Sequence, residues 1–271
     1  MSPATGVVFR CLFGLPILVL VARGENATRG PMSRRTVLVS ALAGVFFAVD
    51  LTTFHAVVDL MGAGLATMMG NLQVVLVALA AWVFLGERPR RQVFLAIPVM
   101  LVGVVLISGI VGAGAYGADP RAGAAIGAAT AVSYAGYLLV IRQASPDHRP
   151  AGPVAIATAV TGVLAALFGV AVGTLDLTPG WPALGALLAY GVISQSIGYV
   201  AIQAALPRLP AAISSALLLV QPVATLLLGV VLLGEDPSGE QFLGVALVVG
   251  GIALATGAAG RLAAAAGLRE R

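Results

Sequence analysis

Two stretches of the sequence are alike: AGLATMMGNLQVVLVALAAWVFLGE at residues 63–87 and PAAISSALLLVQPVATLLLGVVLLGE at residues 210–235. Each stretch is apolar, holds one glutamine near its middle and ends in Leu-Gly-Glu. Gln73 and Gln221 differ by 148 positions, and the glutamates at the two ends, Glu87 and Glu235, differ by the same 148. The sequence therefore predicts that a helical unit occurs twice in the chain.

The composition around these stretches is that of a membrane protein. Of the 271 residues, 59% are hydrophobic and 10% charged, whereas a soluble domain carries about 25% charged residues. A water-soluble enzyme is therefore excluded. Apolar segments long enough to cross a hydrocarbon core about 30 Å thick recur along the whole chain. The nine predicted spans are 3–22, 36–58, 62–85, 92–110, 123–142, 150–174, 183–206, 210–234 and 241–259, which gives an all-α polytopic fold.

The basic residues exclude several kinds of chemistry. All 15 are arginines, so the chain has no lysine for a nucleotide-binding Walker A loop or for a Schiff base. Cys11 is the single cysteine and there are two histidines, too few for a Cys/His metal site. We expect no cofactor, no metal and no nucleic-acid partner.

The positions of the arginines predict the orientation in the membrane. Thirteen of them lie in alternate connectors and in the C-terminal tail, Arg121 lies on the opposite side, and Arg10 lies inside a span. Basic residues are retained in the cytoplasm. The sequence therefore predicts a cytoplasmic C-terminus, and the arginine-only, alanine-rich composition favours a bacterial cytoplasmic membrane.

The repeat pairs the first four spans with the last four. Equivalent spans are five apart, an odd number, so the copies have opposite orientations, an architecture common in secondary transporters. The predicted domains are a first repeat at 1–110 with four of five helices, a second repeat at 123–259 with five, and a cytoplasmic tail at 260–271. The helix expected before the first span is missing, and its loss could be biological or a matter of the start site.

The chain resembles the EamA-type transporters of the drug/metabolite transporter superfamily. The resemblance is carried by these two stretches and by Arg10, which lies where this family often has an arginine in its second helix. The resemblance covers nearly the whole chain. It departs from the family at the missing first helix and at Val74, where the family has a proline that the second copy keeps as Pro222. The resemblance implies a ten-helix exporter or exchanger of small metabolites.

Amide and tyrosine side chains inside the spans are candidates for substrate binding. Gln73 and Gln221 are repeat equivalents near the midplane, where an amide must find partners inside the protein. Substrate contact and interhelical hydrogen bonding both explain them. The further candidates lie at helical spacing on the third, fifth and seventh spans: Asn71, Tyr134, Tyr137, Gln195 and Tyr199.

Ionisable residues inside spans form a second group of candidates. Arg10 and Asp50 are each about 10–12 Å below the outer ends of their spans, so they could form a structural ion pair, or Asp50 could carry a proton. His55 and Asp59 share a helix face at i and i+4. This pair is typical of a cap or an interfacial site, with a gating role for His55 as an alternative.

The sequence thus predicts a secondary transporter, an exporter or exchanger of a small metabolite such as an amino acid, that works by alternating access without catalytic residues. Two alternatives stay open: a membrane enzyme acting on a lipid or acyl substrate through His55 and Asp59, and a transport-inactive accessory membrane protein. The partners are a small-molecule substrate and the lipid bilayer, and a homodimer is one assembly the sequence permits.

Overall fold

The computed structural model describes residues 2–61, 66, 69–107, 120–144, 149–228, 231 and 238–256, and within them the chain is helical, with no β-strand. The α-helices in chain order are α1 (Pro3–Arg29), α2 (Arg34–Met61), α3 (Gln73–Leu85), α4 (Arg91–Ile107), α5 (Pro120–Gln143), α6 (Ala151–Ala171), α7 (Trp181–Tyr190), α8 (Tyr199–Ala205), α9 (Ala211–Leu217), α10 (Val220–Leu228) and α11 (Gly239–Thr256).

The predicted spans match these helices. Five helical stretches are long and apolar enough to cross a membrane: Pro3–Arg29, Arg34–Leu60, Ala122–Gln143, Ala151–Ala171 and Trp181–Arg208. Shorter apolar helices occupy Met69–Leu85, Arg91–Leu106, Ala211–Ala224 and Gly239–Ala255. The all-α, multi-span fold is therefore confirmed. Several predicted ends, at 62–65, 108–110, 232–234 and 257–259, and the predicted tail at 260–271 lie outside the described residues.

The seventh span contains a feature that the sequence did not predict. Between α7 and α8 the chain forms a π-helix over Gly191–Gly198, which we call π1. This segment crosses α1 at backbone contact: a Cβ on Gly14 would lie 2.9 Å from the Gly191 carbonyl oxygen, and a Cβ on Gly191 would lie 2.8 Å from that of Arg10. Only glycine fits at both positions, so α1 and π1 approach closely beside Arg10.

The chain divides into two compact units. Unit 1 comprises residues 1–56 and 132–209, and in it α1 packs along α6 and against π1. A reciprocal polar contact joins the end of α1 to the start of α6. The Glu25 carboxylate accepts hydrogen bonds from the backbone N–H groups of Ala151 and Gly152, at 3.0 and 2.9 Å. In return, Arg149 donates to the carbonyls of Arg29 and Gly30, which satisfies groups that a helix end leaves unpaired.

Unit 2 comprises residues 57–131 and 210–271, and its core is apolar. The closest helix packing is between α4 and α11, where a Cβ on Gly103 would lie 2.7 Å from the Gly244 carbonyl oxygen. The core consists of small and medium apolar side chains: Val74, Ala78, Val93, Ala96, Ile97, Met100, Val104, Ala212, Ala216, Leu219, Val223, Val248 and Ala255.

The predicted repeats and the compact units divide the chain differently. Each unit takes helices from both the 1–110 and the 123–259 segments, because packing rather than order along the chain defines a unit. The inverted relation between the two segments stays a prediction.

Candidate functional site

Arg10 and Asp50, together with all three predicted tyrosines, lie in unit 1. Arg10 is on α1, Asp50 on α2, Tyr134 and Tyr137 on α5, and Tyr199 at the start of α8. We call these five residues, with Phe47, Tyr190 and Ser194, the arginine–tyrosine cluster.

Arg10 occupies the centre of this cluster and is only 3% exposed. Its Nη1 donates a hydrogen bond of 2.7 Å to the Tyr190 hydroxyl, and Nη2 makes a longer contact of 3.4 Å with the Ser194 hydroxyl. Its Nε is buried and has no hydrogen-bond acceptor in the described part of the chain. The guanidinium is thus held at one end, while the edge formed by Nε and Nη2 keeps donor capacity.

Aromatic rings surround the guanidinium. The central carbon Cζ of Arg10 lies 4.4 Å from the ring centroid of Tyr190, 5.4 Å from that of Tyr199 and 5.7 Å from that of Phe47. Cations within about 6 Å of an aromatic face are attracted by the ring quadrupole. Phe47 also stacks on Tyr137 with centroids 4.5 Å apart. The rings therefore stabilise a positive charge that apolar surroundings would otherwise disfavour.

Asp50 is the negative member of the cluster and is 7% exposed. It lies within electrostatic range of Arg10 and of three tyrosines, Tyr134, Tyr137 and Tyr199. Within the described residues, its carboxylate receives no hydrogen bond, and the polar contacts of the guanidinium are with Tyr190, Ser194 and Tyr199 instead. An Arg10–Asp50 ion pair and a proton-coupling role stay predictions.

The π-helix explains why Tyr190 and Ser194, two residues of the cluster, were not predicted from the sequence. Tyr190, Ser194 and Tyr199 follow one another at spacings of four and then five residues. In an unbroken α-helix the second step would turn Tyr199 away from the face of the other two. Because π1 forms i to i+5 hydrogen bonds, the wider turn keeps Tyr190, Ser194 and Tyr199 beside Arg10. A spacing of four then five polar residues is the one sequence signal that could have indicated this.

Gln195, on the same π1 segment, is fully buried and serves a neighbouring helix. Its side-chain amide donates a hydrogen bond of 2.7 Å to the Thr158 hydroxyl on α6, while its own carbonyl oxygen Oε1 is buried without a partner among the described residues. Gln195 thus links π1 to α6, and its predicted contact with substrate stays a prediction.

The remaining predicted amides, Gln73, Gln221 and Asn71, lie in unit 2 and differ in how deeply they are buried. Gln73 is 1% exposed and donates a 3.3 Å hydrogen bond to the Ser215 carbonyl. That carbonyl is available because the helix breaks between α9 and α10, where the Leu219 N–H bonds to Ala216 instead. Gln221, its predicted repeat equivalent, is exposed, and Asn71 is half-buried. The structure thus gives Gln73 an interhelical hydrogen bond, and substrate contact stays a prediction for all three.

The described residues add no sign of catalysis at His55 and Asp59 beyond their i, i+4 spacing in the sequence. His55 is half-buried with its Nδ1 2.8 Å from the Leu51 carbonyl oxygen, and Asp59 is exposed. An Nδ1–H donating to the backbone is a local helix contact.

Comparisons with known proteins agree with a transporter. The threonine/homoserine exporter RhtA of Salmonella typhimurium, in strains SL1344 and LT2, is 29% identical over 130 residues, or 47% of this chain. That match spans 42% of the exporter's length, so less than half of it. The uncharacterized transporter YwfM of Bacillus subtilis strain 168 is 27% identical over 218 residues, which are 78% of this chain and 70% of the relative.

A solved structure described only as "Crystal structure of protein" has the same fold, with a TM-score of 0.79 and 24% identity over 94% of this chain and 89% of that one. The sequence pattern of the EamA-like transporter family matches residues 1–109 and 121–257. These two matches take in both of the similar stretches and nearly all of the predicted spans, and the chain belongs to the EamA-like transporter family.

Proposed function

We propose that the chain is a secondary transporter that exports or exchanges a small metabolite of the amino-acid class across the cytoplasmic membrane by alternating access. The observation that carries the proposal is the arginine–tyrosine cluster: a buried guanidinium and a buried carboxylate within an otherwise apolar set of helices. Ionisable groups at membrane depth are costly, and they are typical of substrate and ion pathways. The names of the similar exporters support the amino-acid class.

The experiment that tests the proposal is counterflow into proteoliposomes containing the purified chain. Vesicles loaded with unlabelled L-threonine or L-homoserine should accumulate the same labelled amino acid, and empty vesicles should not. A parallel panel of nucleosides, sugars, polyamines and cationic drugs measures selectivity. Counterflow of a non-amino-acid compound alone would contradict the amino-acid class, and the absence of counterflow for the whole panel would contradict transport.

We propose further that Asp50 couples transport to a proton gradient, since it is the carboxylate predicted well inside a span. The ionisable groups near enough to interact electrostatically with it are the Arg10 guanidinium and the hydroxyls of Tyr134, Tyr137 and Tyr199. At saturating substrate, Asp50→Asn should abolish the dependence of uptake on an imposed pH gradient, because an amide at this position carries no titratable proton. Gradient-driven uptake that is unchanged in Asp50→Asn would show that the proton is carried elsewhere.

The proposed orientation has the C-terminus in the cytoplasm, as the distribution of arginines predicts. A reporter domain fused after Arg271 should be active only in its cytoplasmic form. The predicted contacts of Gln73, Gln221, Asn71, Gln195 and the tyrosines Tyr134, Tyr137 and Tyr199 with substrate belong to this proposal, and loss of counterflow affinity on substitution is their test.

A further inference from the structure

Unit 1 buries a guanidinium and a carboxyl group on neighbouring helices, and no hydrogen bond between them is found among the described residues. Arg10 is on α1, and Asp50 is on α2 three residues after Phe47, whose ring centroid lies 5.7 Å from the Arg10 Cζ. We infer that these two groups recognise the two ends of a zwitterionic α-amino acid, with Arg10 binding the carboxylate and Asp50 binding the ammonium. The inference rests on the proposed transport function and assigns its binding site.

The guanidinium supplies the carboxylate half of this site. Its Nη1 is fixed by the 2.7 Å bond to Tyr190, Nη2 makes a 3.4 Å contact with Ser194, and the Tyr199 side chain also interacts with the guanidinium, whereas Nε has no acceptor in the described chain. Nε and one N–H of Nη2 form the edge of the fork that binds carboxylates through two parallel hydrogen bonds. A buried donor without an acceptor costs free energy. A substrate carboxylate at this edge would provide the acceptor that Nε lacks among the described residues.

The carboxylate of Asp50 supplies the ammonium half. An ionised carboxylate accepts several hydrogen bonds, and none comes from the described residues to Asp50. The rings of Tyr134, Tyr137 and Tyr199 contact one another in sequence, and the Tyr199 ring lies 5.4 Å from the Arg10 Cζ. Aromatic faces also attract ammonium groups. In an α-amino acid the ammonium and carboxylate are attached to the same carbon atom. The guanidinium and the carboxylate that bind them must therefore lie close together without forming an ion pair with each other.

A purely structural role would arrange these charges differently. Burying two ions is repaid only where the geometry is close and their remaining hydrogen bonds are satisfied. Here the guanidinium bonds to a phenol and a hydroxyl, and Nε is left over. Within the cluster the Tyr134 and Tyr199 side chains are half-buried, whereas Arg10 and Asp50 are buried.

The test is a counterflow competition with three related compounds: L-threonine, L-threonine amide, which lacks the carboxylate, and 3-hydroxybutanoate, which lacks the ammonium. The wild-type chain should prefer threonine over each analogue by about tenfold or more, as expected for hydrogen bonds to charged groups. Arg10→Gln should erase the preference over the amide and keep the preference over 3-hydroxybutanoate. Asp50→Asn should do the reverse, and Arg10→Lys, which keeps the charge and loses the fork, should fall between wild type and Arg10→Gln.

The outcomes separate this inference from the proposed function. Threonine counterflow whose analogue preferences are the same in wild type, Arg10→Gln and Asp50→Asn would overturn the inference and leave transport standing. Counterflow of none of the amino acids by the wild-type chain would overturn both. Should either variant unfold, as judged by thermal melting in detergent, the wild-type analogue series decides alone. Equal affinity for threonine, its amide and 3-hydroxybutanoate then overturns the assignment.

Discussion

The two compact units of the chain use different means to hold their helices. The buried charged residues of the described chain, Arg10, Asp50 and Arg149, all lie in unit 1. The buried polar residues of unit 2 are neutral: Gln73, Thr130, Ser214 and Ser215. A charge in the membrane is costly and persists where it is paired or used. The comparison therefore supports the proposal that recognition lies in unit 1, whereas the core of unit 2 is apolar.

The units share one device, the close crossing of helices at glycine. In unit 1 a Cβ on Gly44 of α2 would lie 2.6 Å from the Ala157 carbonyl oxygen of α6, and in unit 2 a Cβ on Gly103 would lie 2.7 Å from that of Gly244. Lipid gives helices no hydrophobic drive to associate, so close backbone packing holds them together in both units. The difference between the units is therefore in polar content and not in how tightly their helices pack.

The largest expected effect comes from filling these crossings. Gly44→Val and Gly103→Val should each destabilise the protein by about 1–3 kcal/mol, because overpacked side chains force helices apart. Unfolding in mixed lipid–detergent micelles measures the change. Gly185→Ala on α7, where nothing lies within 4 Å of the new Cβ, is the matched control and should not destabilise. A large loss at Gly44 with none at Gly103 would show that unit 2 packs loosely.

The helices themselves were predictable because membrane crossing depends on local composition. A run of apolar residues must form a helix in lipid, since every backbone group needs a partner within the segment. The sequence likewise indicated Arg10, Asp50, Tyr134, Tyr137 and Tyr199 as residues with a role, because polar groups at such depth are uncommon.

The details of the cluster were not predictable, because they depend on contacts between distant segments. The π1 segment forms where Gly191 meets Gly14 of α1, and no local residue pattern signals such a meeting. Tyr190 and Ser194 were missed for this reason. The partner of Gln73 was also hidden, because the Ser215 carbonyl is released only by a break within another span.

A smaller effect is expected where a glutamate caps a helix start in each unit. The Glu25 carboxylate accepts hydrogen bonds from two backbone N–H groups at the start of α6, and the Glu87 carboxylate accepts one of 2.9 Å from the Ala211 N–H at the start of α9, among its contacts. Carboxylates at helix N-termini stabilise by satisfying free N–H groups and by interacting with the helix dipole. Glu25→Ala and Glu87→Ala should each lower the unfolding free energy by about 1 kcal/mol. No loss for one of the two variants in the same unfolding assay would mean that the helix start in that unit does not depend on its glutamate.

The smallest effect tests whether the amides of unit 2 act in structure or in binding. Gln73→Leu removes the hydrogen bond to Ser215 and should cost about 0.6 kcal/mol, the average for an interhelical hydrogen bond in a membrane protein. Gln221→Leu, at an exposed position, is the matched control and should leave the unfolding free energy unchanged. Counterflow affinity measured on both variants then distinguishes the roles. If Gln73→Leu weakens substrate affinity without lowering stability, Gln73 acts in binding, and unit 2 contributes to recognition as well as to structure.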